Sequence, residues 1–197
     1  MSEQKKNNSF FAVFFRQKYI NRWGLMRNVT NENLSTHAAE VSCLAHALAV
    51  IGNTYFGKSY NTERVAILAL YHDMPEVFTG DLPTPVKYAN DALRSCYAAV
   101  EQKAVEQLTD RLPKELQNEY LSLLEITPAD MELKKLVKGA DKLCALIKCI
   151  EEEKMGNSDF ASARIATERS LKEMSFEELD YFIENFLPAF EGTIDEI

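Results

Sequence analysis

The stretch that decides the fold is Asn61–Val77, NTERVAILALYHDMPEV. Every position from Val65 to Tyr71 is apolar, which predicts a central buried helix. Asn61 is its expected cap and Val77 its expected end. Inside such a run ionisable groups need an answer, yet His72 and Asp73 stand adjacent near its end. A charged aspartate there requires a partner, either a metal ion or an arginine. Glu76 follows His72 by four residues and is expected on the same helical face. Pro75 before it signals that the helix is ending.

Two other residues are out of place in the same way. His37 opens a stripe with Val41, Leu44, Leu48 and Ile51 at helical spacing. His46 lies nine residues on, about half a turn out of phase at roughly 100° per residue. It therefore faces away from His37 and is read as structural. Asp141 lies between Val137 and Cys144 on or beside an apolar face. Alone it reads as a buried ion pair with Lys or Arg rather than as a ligand. Together, His37, His72, Asp73 and Asp141 form the order H…HD…D. Two imidazoles and two carboxylates from three helices can bind one divalent transition metal and leave positions open for water and substrate.

Helical periodicity runs almost end to end in the 197 residues, of which 46% are apolar. Only 7 Gly and 6 Pro interrupt it, which argues for few, long elements. The spacing predicts helices over 9–20, from a Ser35 cap to Gly52-Asn53, and over 91–112 and 114–125. A Thr127-Pro128 start opens another, followed by 158–174 and 176–190, the last with a Ser175/Glu178 capping box. Residues 21–33, NRWGLMRNVTNEN, lose the periodicity and read as a long loop, of the kind that is either functional or disordered. No run alternates with period two, so the chain is expected to be all-α, a single domain over 1–197.

Composition excludes several functions. The net charge is −8 with no basic block, which argues against a nucleic-acid polymer as partner. No uncharged run is long enough for a spanning helix, and the Phe-rich start lacks a signal-peptide cleavage site. Cys43, Cys96, Cys144 and Cys149 form no C-x-x-C and are expected as buried free thiols, hence a cytoplasmic location. The glycines make neither a dinucleotide-binding fingerprint nor a P-loop, and there is no G-x-S-x-G elbow.

The H…HD…D order is the signature of the all-helical HD-domain phosphohydrolases. More closely, INRWGLMRN (20–28), ENLSTH (32–37), YHDMPEVFTGDLPTPVKY (71–88) and KGADKLCALIKCIEE (138–152) resemble the bacterial 5′-deoxynucleotidases. Their order and spacing match over nearly the whole chain, and TGDLPTP is the most specific block. The resemblance implies a single HD-domain bundle holding one divalent metal ion (Mn, Co, Zn, Fe or Ni) on His37, His72, Asp73 and Asp141. It assigns Arg22 to the substrate phosphate, where it orients the group for catalysis, and Trp23 to the sugar. Asp81, Leu82, Pro83 and Thr84 border the nucleoside, with His37, Asp73 and Asp141 also facing substrate. Glu76 matches a catalytic carboxylate that orients or deprotonates water, or protonates the leaving oxygen. The implied protein is a homodimer that dephosphorylates deoxyribonucleoside 5′-monophosphates and discriminates against ribonucleotides.

Charge makes the arginine necessary. A 2+ ion with Asp73 and Asp141 sums to zero, while a phosphate monoester brings about −2 near neutral pH. A forked guanidinium answers part of that. Three rivals stand beside this reading. One is another HD enzyme, such as a phosphodiesterase or a dNTP triphosphohydrolase. The others are a non-catalytic nucleotide-binding HD module and a helical adaptor with the HD residues as ion pairs.

Overall fold

The computed structural model describes residues 8–87, 90–125, 127–193, 195 and 196. Among them there is no strand, and the helices follow the predicted order. These are α1 (Phe10–Phe14), α2 (Leu34–Tyr55), α3 (Thr62–Tyr71), α4 (Glu76–Thr79), α5 (Thr84–Lys87), α6 (Asp91–Thr109), α7 (Lys114–Leu124), α8 (Met131–Lys154), α9 (Ala161–Met174) and α10 (Glu177–Asn185). Short 3₁₀ turns follow α1 at Phe15–Tyr19, precede α8 and α9, and follow α10 at Leu187–Glu191. The backbone groups into two compact units, one of residues 1–25, 31–38 and 71–127, the other of 26–30, 39–70 and 128–197.

In the first unit an aromatic core surrounds Phe10, which is fully buried with Val13, Met74, Leu108 and Leu112. Tyr120 meets Phe10 edge-on at 4.9 Å between ring centroids, and Tyr71 stacks at 6.5 Å. Burial of each such side chain contributes about 2–3 kcal/mol. Met74 follows Asp73 directly, so the same packing that holds this core fixes the turn bearing His72 and Asp73. Asn90 caps α6 through the backbone N–H of Leu93.

The second unit is built on α8. Gly139 is required there by a close approach: a Cβ would sit 2.8 Å from the ring of Phe176. Arg64 and Asp130 form a two-point ion pair at 3.2 and 2.9 Å, joining the start of α3 to the start of α8. Glu152, fully buried, accepts the backbone N–H groups of Val29 (2.9 Å) and Thr30 (3.1 Å) as well as Lys148 and Asn157. That network gives the loop residues 26–30 a fixed seat.

Several local expectations are corrected. The helix of the opening stretch stops at Tyr71, and residues 72–75 are turns. Bonds there tighten to three-residue spacing, with Met74 N–H on Tyr71 and Glu76 N–H on Asp73. Pro75 lacks the donor to carry the helix on. His72 and Glu76 are therefore not related by a continuous helical face. Nor is that helix buried all round, since Ile67 is exposed. The cap of α2 is Asn33 rather than Ser35, its Oδ1 accepting from Thr36 N–H at 3.1 Å. The Ser175/Glu178 capping box does not form, because Ser175 bonds Asp180 and Glu178 accepts from Tyr60. All four cysteines are free as expected, but Cys43 and Cys96 are exposed; only Cys144 and Cys149 are buried. By length and mean hydropathy α2 is apolar enough to cross a membrane, but half of that window is buried inside the protein, as in a core helix.

Candidate active site

The site is assembled by the long loop 21–33. Its base is closed by β-type pairing of Asn21 with Asn33, Arg22 N–H bonding Glu32 C=O and Leu34 N–H bonding Ile20 C=O, each at 3.0 Å. This pairing sets Arg22 beside Glu32 at the entry to α2. One turn into α2 lies His37, fully buried. Trp23 holds a positive φ of 59°, unusual for a non-glycine.

Three side chains converge on one oxygen of Asp73. Asp73 Oδ2 lies 3.1 Å from His72 Nε2, 3.5 Å from His37 Nε2 and 3.2 Å from Arg22 Nη1. The two imidazole rings stand 5.4 Å apart, each offering a nitrogen within 4.8 Å of the other's. Ligand atoms about 2.0–2.2 Å from one ion stand roughly 3–3.5 Å from each other. The His37–Asp73 and His72–Asp73 donor pairs, at 3.5 and 3.1 Å, have this spacing, and their nitrogen and oxygen chemistry suits a divalent transition metal. The residues present fit such an ion.

Glu32 organises the site and was missed by sequence reasoning. Its carboxylate lies 3.0 Å from His37 Nδ1, 3.1 Å from Arg22 Nε and 2.6 Å from Trp23 Nε1. Burial pushes this carboxyl up, but His37, Arg22 and Trp23 outweigh it and hold it below the ordinary value. An ionised Glu32 3.0 Å from Nδ1 would favour the His37 proton there and leave Nε2 for a ligand, the arrangement that tunes metal-binding histidines. The signal for it was present in the ENLSTH run, but nothing local distinguishes Glu32 from a solvated loop carboxylate.

Glu76 opens α4 and is buried. Burial pushes its carboxyl up to about 9, the Asp73 and Asp81 carboxylates adding to the rise against Lys87 and Arg22. Asp81 is also raised, by burial first; Arg22 and the backbone N–H of Trp23 oppose this. Leu82 and Pro83 after Asp81 are half-buried. Thr84 begins α5, and its side chain lies outside the described residues. Asp141 sits mid-way along α8 in the second unit, half-buried, between the buried Val137 and Cys144. His46 is exposed on α2.

A family model described as 5′-deoxynucleotidase YfbR-like matches residues 9–190. The chain belongs to the YfbR-like 5′-deoxynucleotidase family. Within it, the 5′-deoxynucleotidase YfbR of Escherichia coli O1:K1 / APEC is 48% identical over 192 residues, 98% of this chain and 96% of that one. An HD-domain phosphohydrolase from Listeria innocua superposes with a TM-score of 0.75 at 26% identity, covering 92% of this chain and 88% of its own. The cyanophage S-2L HD phosphohydrolase DatZ, bound to dA and one catalytic Zn²⁺ ion, gives 0.64 at 19% identity, covering 92% and 96%, and supports the fold. The described residues of the chain are all-α, and its YfbR relatives are named as 5′-deoxynucleotidases.

Proposed function

We infer that this chain is a metal-dependent 5′-deoxynucleotidase, releasing phosphate from deoxyribonucleoside 5′-monophosphates. The observation that carries the reading is the convergence of His37, His72 and Arg22 on one oxygen of Asp73, in a chain of this family. His37, His72 and Asp73 would hold one divalent transition ion, Mn, Co, Zn, Fe or Ni. Asp141 is proposed as the fourth ligand on the H…HD…D order. The ion, when bound, supplies Lewis-acid polarisation of the phosphoryl group.

The chain's own residues do the rest. Arg22 binds phosphate oxygens through its fork, its Nε oriented by Glu32 and its Nη1 by Asp73. Glu76 moves the proton, taking it from the attacking water or delivering it to the leaving 5′ oxygen. Trp23, tied to Glu32 through its indole N–H, is the wall that excludes a 2′-hydroxyl. Steric overlap rejects a ribose more steeply than an apolar pocket rejects an added hydroxyl. Asp81 accepts from the 3′-hydroxyl, with Leu82, Pro83 and Thr84 along the nucleoside. His37, Asp73 and Asp141 face the phosphate as well as the metal. Residues 1–197 are proposed to work as one catalytic domain and as a homodimer, the latter on the family resemblance. The free thiols support a reducing, cytoplasmic setting.

The test is phosphate release from dAMP against AMP, using chelator-treated protein given Mn²⁺, Co²⁺, Mg²⁺ or Zn²⁺ in turn, with metal content measured in parallel. Release from dAMP restored by metal, with little from AMP, is the expected result. Asp73→Ala is expected to lose both bound metal and activity. Bound metal without release from either nucleotide would overturn the reading in favour of another HD phosphohydrolase or a binding module.

A further inference from the structure

Lys87, the last residue of α5, belongs to none of the roles above, yet it stands at the edge of the site. Its ammonium lies 2.9 Å from Glu101 Oε1 and 4.6 Å from the centroid of the Tyr97 ring. Tyr97 and Glu101 are four residues apart on α6, one above the other on a single face. Together they form a seat, an anion and an aromatic face, that suits one ammonium group. On its third side the ammonium lies 4.0 Å from Glu76 Oε1. Tyr97 is shared: its hydroxyl meets Thr79 Oγ1 at 3.2 Å, tying α4, which carries Glu76, to the same ring.

The two oxygens of Glu76 are thus unlike. Oε1 faces the seated ammonium. Oε2 is buried and takes no hydrogen bond from any described residue. Two further carboxylates, Asp73 and Asp81, are close enough to act on Glu76. Of the two cations beside it, Arg22 is committed to Glu32 and Asp73.

We propose that Lys87 is a positioning residue for Glu76, the charge of its ammonium 4.0 Å from Oε1 biasing the carboxyl so that Oε2 is presented to the reaction. This rests on the reading of Glu76 as the proton-moving carboxylate. The Lys87–Glu101 contact is the anchor of this device. Were it instead only a tether for α5 and the TGDLPTP loop, its loss would act on substrate binding.

The experiment compares wild type, Lys87→Met, Lys87→Arg and Glu101→Gln as metal-loaded full-length proteins, in steady-state hydrolysis of dAMP. Metal content and thermal midpoint are recorded for each. Loss of the orienting charge is expected to lower kcat about tenfold or more in Lys87→Met, with KM within about twofold, since a small misplacement of a reacting group is costly. Lys87→Arg recovers most of the loss, and Glu101→Gln, which leaves an ammonium beside Glu76, loses less than Lys87→Met. In a Glu76→Gln background Lys87→Met changes the residual rate by less than about twofold, the non-additivity of residues acting as one unit. A raised KM with unchanged kcat, or an equal effect in both backgrounds, would overturn the proposal. Lys87→Gln takes the place of Lys87→Met if the latter fails to fold. An active wild type with an indistinguishable Lys87→Met defeats this proposal alone; a wild type that releases no phosphate from any deoxynucleotide defeats the functional reading itself.

Discussion

Replacing Glu152 by Gln tests how the loop after Arg22–Trp23 is held. Glu152 is fully buried and Lys148 is 5% exposed. The carboxylate accepts Val29 N–H, Thr30 N–H and hydroxyl, Asn157 Nδ2 and Lys148 Nζ. Lys148 in turn donates to Thr30 C=O at 2.6 Å. Gln keeps the size, removes the charge and turns an acceptor into a donor facing donors. A buried pair broken on one side costs about 3–5 kcal/mol, because the remaining charge is left uncompensated. Taking about 3 kcal/mol, a chain of this size loses about 6–12 °C in Tm. The acid limb gives a second readout. Burial pushes the Glu152 carboxyl up, but Lys148, the Val29 and Thr30 N–H groups and Asn157 outweigh it and hold it at about 2, against 4.5 unperturbed. Between those values the unfolded chain binds the extra proton. The stabilisation is therefore complete above about pH 4.5 and lost as pH falls toward 2. Urea denaturation of wild type, Glu152→Gln and Lys148→Met/Glu152→Gln at pH 7 and pH 4 measures both effects. The double variant should be more stable than Glu152→Gln alone, and Glu152→Gln should show a flatter acid limb. A loss under about 1 kcal/mol, or a double variant no better than the single, would refute the reasoning.

Three further outcomes are expected at the site. Glu76→Ala keeps metal and substrate binding while kcat falls about 10²-fold or more, as for loss of a proton-transfer group; retained turnover would remove Glu76 from the mechanism. Trp23→Ala raises the AMP-to-dAMP ratio of kcat/KM by about 10-fold or more, the scale on which one pocket contact discriminates, and an unchanged ratio would make Trp23 structural. Glu32→Gln weakens metal affinity about 10–100-fold by freeing the His37 tautomer, read by titration with the ion in a chelator competition; unaltered affinity would leave Glu32 as a loop clasp only.

The HD pair was legible from residues 61–77 alone, because charged groups after an uninterrupted apolar run announce a function by their cost. The long helices α2, α6 and α8 were equally legible, since their stripes are local and repeat at 3.6 residues. So was the break in periodicity over 21–33, which the structure shows as an irregular loop closed by the Asn21–Asn33 pairing. The shared face of His72 and Glu76 was misjudged for an identifiable reason: periodicity assumes an unbroken helix, and Pro75 with the turn at 72–75 breaks it. What only the tertiary structure decided is who meets whom. Glu32 becomes the partner of His37, Arg22 and Trp23 because the Asn21–Asn33 pairing closes the loop around it. Lys87 becomes a neighbour of Glu76 because α6 seats its ammonium on Tyr97 and Glu101. Periodicity and caps depend on residues within one or two turns and are written in the sequence. A buried carboxylate's role depends on charges brought to it by distant segments, and those contacts exist only once the chain has folded.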